Sequence, residues 1–150
     1  MEFLFVRLFG WPVPLPPASA DWVPAALVTF LAVVEGDVGG WRIDREALTE
    51  AIRARWSEAE IDSIHRSEVR SLVWQFETEN GPGEAYLHED GTCLYMDVSE
   101  EDAIWLAIVF RGLTLPDLDL VFCDEGYTFD VRLRAGMTEA DLTDLVNAAG

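Results

Sequence analysis

A chain of 150 residues, half of them hydrophobic and six of them tryptophan, holds enough apolar side chain for one core of ordinary size, which excludes disorder by composition. Its 28 acidic residues stand against 10 basic ones, all arginine, for a net charge of −18. A field of that sign repels nucleic-acid backbones and anionic membranes and steers basic proteins inward, so a basic protein is the expected partner.

The acid is unevenly spread: residues 1–75 carry 11 acids and 7 arginines, and residues 76–150 carry 17 and 3. Residues 2–9 suit an edge strand or an anchoring arm, and the prolines at positions 12, 14, 16 and 17 keep the following stretch extended. Ala18-Ser19-Ala20 has the small-residue form of a signal-peptide cleavage site. Glu2, the interruption at Arg7 and the prolines do not fit a signal peptide, however, and the apolar run over 23–34 is too short to cross a bilayer. Two cysteines without metal-ligand spacing read as buried free thiols, and the cytoplasm is the expected compartment.

Asp21 has the character of an N-cap for a helix running to Val34 and stopping at Gly36. Asp44 caps a second helix through Trp56, and Ser57-Glu58-Ala59-Glu60 has the form of a capping box opening a third. From Val69 the apolar period becomes two, with Leu72, Trp74 and Phe76 on one face. Asn80-Gly81-Pro82-Gly83 turns this strand into another over 84–88, and Asp90-Gly91 turns that one into a third over 92–98. Ser99 opens a helix that stops at Gly112, strands over 118–123 and 127–134 flank Glu125-Gly126, and Thr138 caps a last helix. The expected fold is a single α+β domain over residues 1–150: an antiparallel or mixed sheet of about five strands, helices packed on one face, and a helical N-terminal third.

No phosphate loop, dinucleotide fingerprint, nucleophile elbow or zinc-protease helix occurs, and no catalytic residue, metal or cofactor is assigned. Acids interleaved with tyrosines on the second-half strands and turns form the candidate partner surface: Glu84, Tyr86, Glu89, Asp90, Asp97, Asp124, Glu125, Tyr127 and Asp130. Aromatic anchors and complementary charge are what such a surface needs. The rival reading is a small enzyme or ligand-binding protein with a site around His88 and its neighbouring carboxylates. A homo-oligomer would use the less acidic first half for self-contact.

Within residues 94–133, the runs Tyr-Met-Asp-Val-Ser-Glu-Glu-Asp-Ala and Leu-Val-Phe-Cys-Asp-Glu-Gly-Tyr-Thr-Phe-Asp-Val give the chain a resemblance to small acidic α+β immunity proteins of bacterial toxin systems. The resemblance is one of style and transfers no individual residue. It implies a stoichiometric inhibitor that blocks the working face of a basic cognate toxin or enzyme.

Overall fold

The computed structural model describes residues 28–149. In chain order these form β1 (Phe30–Glu35), α1 (Arg45–Arg55), β2 (Glu60–Asp62), β3 (Leu72–Thr78), β4 (Gly81–Leu87), β5 (Cys93–Asp97), α2 (Glu100–Gly112), β6 (Asp119–Asp124), β7 (Asp130–Leu133) and α3 (Glu139–Ala149). The strands make one sheet in the order β2-β3-β4-β5-β1-β6-β7, antiparallel at every pairing. The β3-β4-β5 meander and the β6-β7 hairpin are thus joined through β1, which enters from the start of the described chain.

The helix ends follow capping chemistry. Asp44 accepts from the Ala47 amide at 3.1 Å to start α1, and Ser99 accepts from the Asp102 amide at 3.3 Å to start α2, whose first turn is all acidic. Thr138 does the same for α3 through Asp141 at 3.1 Å. The three helices share one side of the sheet, with α2 touching α1 and α3 as well as β1 and β5. Trp74 of β3, fully buried, donates its indole N–H to Thr49 of α1 at 2.9 Å. Beneath the helices Phe30 stacks on Phe122 with Phe129 tilted against both, and Trp56 lies parallel to Phe76 with centroids 4.2 Å apart. Burying each such side chain contributes roughly 2 kcal/mol. Gly83 marks where this packing is tightest, because a Cβ there would come within 2.8 Å of both Phe76 and Val98.

Three expectations are corrected. The sheet has seven strands, not about five, and over the part described the N-terminal third is not mostly helical, its only helix, α1, beginning at Arg45. Phe30–Glu35 is a central strand, hydrogen-bonded on both sides, where the sequence suggested a helix to Val34. A strand paired on both edges and apolar towards both faces has no visible period of two, so its run reads like a buried helix. The start of that suggested helix at Asp21, and the arm and proline stretch before it, lie outside the described residues. The third correction is the capping box at Ser57: Glu60–Asp62 instead forms the edge strand β2 against β3. The box is followed by Ile61 and Ile64 but by no helical apolar stripe, and without one a capping box has nothing to open. The five strands read from alternation and the helices at Asp44, Ser99 and Thr138 are all present.

Candidate functional site

Alternate residues of each strand point away from the helices, and the register aligns them into rungs across the sheet. One rung runs Asp62, Val73, Tyr86, Tyr95, Leu31, Cys123, Asp130, from one edge strand to the other. Its centre is aromatic and apolar and its two ends are carboxylates. The neighbouring rung, Glu60, Gln75, Glu84 and Asp97, continues to Thr29, whose hydroxyl donates to Asp97 at 2.6 Å. None of the described helices covers this face.

Tyr86 and Tyr95 are cross-strand partners, stacked with centroids 5.1 Å apart and planes within 5°. Arg70, arriving from the β3 side, places its guanidinium 4.2 Å from the centre of the Tyr86 ring and hydrogen-bonds Glu84. Gln75 holds the other Glu84 oxygen at 3.0 Å. Stacking and cation–π contact are each worth about 1 kcal/mol here, enough to fix the rings in one orientation.

Asp97 is the electrostatic anomaly of the face. Burial, reinforced by the Glu84 charge, pushes its carboxyl from the usual 3.8 up to about 6, against the opposing effects of Thr29 and Arg70. Because the folded value lies above the unfolded one, the native state binds the extra proton between pH ~4 and ~6, and stability falls as pH rises through that window. At neutral pH the ionised Asp97 therefore costs on the order of 2 kcal/mol. Asp97→Asn should raise the melting temperature at pH ~7.5 by several degrees and leave it unchanged near pH ~4, as followed by circular dichroism. An equal gain at both values would show that Asp97 is not a desolvated carboxylate.

The nine residues expected at the partner surface do not form one patch. Glu84, Tyr86, Asp97 and Asp130 lie on the sheet face opposite the described helices. Glu125 and Tyr127 sit on the β6–β7 turn, at the Asp97 end of the sheet, where the Glu125 amide donates to the Thr29 carbonyl at 2.8 Å. Tyr127 is 74% exposed and holds a left-handed φ of 55°, a conformation that costs a tyrosine about 1 kcal/mol and presents its ring to solvent. Asp124 is taken up by the turn itself: it is buried, pairs in register with the helix-facing Phe30, and accepts from both the amide and the hydroxyl of Thr128.

Glu89 and Asp90 lie at the opposite end of the sheet, about 20 Å away along β4. There they build the β4–β5 turn. Asp90 accepts from the Thr92 amide and hydroxyl, the Glu89 carbonyl accepts from Arg42 and Arg45, and the Glu89 carboxylate contacts His65 at 2.9 Å. Gly91 closes that turn at φ 74°, with its α-carbon so near Arg42 that a Cβ would lie 2.7 Å from the arginine's own.

His88 is drawn to Asp90 of its own turn at 3.0 Å. The two shallow depressions beside that turn, of about 580 and 410 Å³, are lined by Arg42, Asp90 and others but not by His88. Cys93 and Cys123 are free, buried and separated by β1, and burial pushes their thiols up to about 12 and about 11, far from thiolate chemistry at neutral pH. Among the described residues no helix is long and apolar enough to cross a membrane.

Sequence reasoning left out Thr29, Leu31 and Arg70, and used Tyr95 only as a neighbour of the acids. Leu31 belongs to the strand read as a helix, and Thr29 stands just before it in the same run. The signal for Tyr95 was its two-residue spacing from Asp97, the same spacing that separates Glu84 from Tyr86.

Comparison with protein-family models, with curated proteins and with solved structures finds no match to this chain.

Proposed function

We propose that the protein is an acidic protein-binding module that inhibits a basic cognate toxin or enzyme, as the resemblance to small immunity proteins implies, and that it does so through the sheet face opposite the described helices. The observation that carries this reading is the rung pattern: a tyrosine pair and apolar floor bordered by Glu84, Asp97 and Asp130, in a chain of net charge −18. Aromatic residues give desolvated anchoring, and the surrounding carboxylates give attraction and orientation. The rigid sheet presents both without rearrangement on binding. The two buried free thiols fit a reducing compartment, which supports the cytoplasm as the place where the partner is met.

Affinity capture from the native host, at low and at high salt, tests the reading. The expected result is one basic protein, retained more strongly at low salt, whose activity is abolished by an equimolar amount of this chain. A captured protein that stays fully active in the complex would overturn the inhibitor reading.

A further inference from the structure

Seven positions among the described residues hold a positive φ, and six of them are glycine: Gly36, Gly39, Gly40, Gly81, Gly91 and Gly136. The seventh is Tyr127, at φ 55° in the β6–β7 turn. Its amide donates to the Asp124 carbonyl at 3.0 Å, which closes a turn over residues 124–127. A turn that ends in the left-handed conformation ordinarily places glycine there. Glycine is present in this turn, but one position early. Gly126 has no left-handed φ, and a Cβ built on it would meet nothing nearer than Thr128 at 3.9 Å. Any residue would fit at 126, and glycine would fit best at 127. The shape is fixed by the Asp124 carboxylate, which accepts from the amide and the hydroxyl of Thr128, and by the Glu125 amide on the Thr29 carbonyl. Tyr127 is 74% exposed, so packing offsets little of its conformational penalty.

We propose that Tyr127 is the anchor of the interface: its ring enters a pocket on the basic protein partner, and the turn sets the direction of the ring before contact. The proposal rests on the reading of the chain as a protein-binding module, and adds to it the residue on which the binding energy is concentrated. A strained backbone persists where the surrounding structure fixes it, and such strain clusters at sites that hold a ligand. Tyrosine brings a large, rigid ring with few torsions to order, which is why it is enriched among the residues whose truncation weakens an interface most. The exposed Glu125 stands two residues away, so the pocket that admits the ring carries a cationic rim.

Tyr127→Gly separates an interface role from a structural one, because the two roles predict shifts of opposite sign. In the full chain Tyr127→Gly should raise the melting temperature by about 3 °C, since it relieves the left-handed strain. The same variant should bind the basic protein that the parent chain captures about thirtyfold more weakly, as measured by calorimetry. Tyr127→Phe, which keeps the ring, should melt with the parent and bind within about threefold of it. A lower melting temperature for Tyr127→Gly would show that the chain itself, residues 1–27 included, holds the ring, and would overturn the anchor. Binding by Tyr127→Gly within about threefold of the parent would also overturn it, and would leave the protein-binding reading standing. A parent chain that captures no basic protein would overturn both.

Discussion

Arg111→Met should lower the stability of the protein by about 3 kcal/mol, seen as a fall of roughly 10 °C in melting temperature. Arg111 ends α2 and is only 4% exposed, yet among the described residues it makes no ion pair with a carboxylate. Its guanidinium donates instead to backbone carbonyls: Leu118 at 3.0 Å, Leu133 at 3.2 Å, Leu115 at 2.6 Å and Thr114 at 3.5 Å. One side chain thus ties the end of α2, the loop after it, the entry to β6 and the end of β7. Its charge also sits at a helix C-terminus, where the aligned peptide dipoles favour it.

Methionine would fill much of the space and avoid burying a cation, which works in its favour. It cannot replace the donors, and the carbonyls left without partners cost more than the desolvation saved, because hydrogen bonds to charged groups are worth about 1.5–3 kcal/mol each. The Nε–H of Arg111 is buried without an acceptor, so the arrangement is already imperfect and the net loss is smaller than the sum of its bonds. Arg111→Lys should recover less than half the loss, since an ammonium cannot reach carbonyls spread across the fork. A loss below about 1 kcal/mol for the methionine variant would mean that the carbonyls find water instead.

Much of this architecture is legible in the sequence, and the failures have physical causes. Strands with one face towards the helices alternate visibly: Leu72, Trp74 and Phe76 face inward while Gln75 and Glu77 are exposed. The helix caps at Asp44, Ser99 and Thr138 are equally legible because each uses one side-chain oxygen on one amide. Phe30–Glu35 is hidden because both its edges are paired and its two faces are both apolar for five residues before Glu35. Glu60–Asp62 is hidden because three residues on an edge carry no pattern.

The candidate site divides in the same way. Alternation puts Glu84, Tyr86 and Asp97 on one face, but strand order is not written in the sequence. Only the insertion of β1 between β5 and β6 shows that Tyr95 and Asp130 share a rung and that Glu89 and Asp90 lie at the far end. Asp124 misleads for a different reason: in sequence it belongs to an acidic turn, and in the fold it is the acceptor that closes that turn on Thr128.

The central claim is that the sheet face opposite the described helices, and not the acidity of the whole molecule, engages the partner. Two triple variants with the same loss of negative charge separate these. One carries Asp97→Asn, Glu125→Gln and Asp130→Asn. The other carries Glu50→Gln, Glu139→Gln and Asp144→Asn, at exposed positions of α1 and α3. The helix layer sets the second group about 15 Å or more from the sheet face, beyond the screening length of about 10 Å at 0.1 M salt. The decisive measurement is the association rate of the captured basic partner with each variant, by stopped flow across a range of salt. The sheet-face triple should associate about tenfold more slowly at low salt with a flattened salt dependence, and the helix triple should stay within about twofold of the parent. Equal slowing by the two triples would contradict the assignment and leave net charge alone as the attraction.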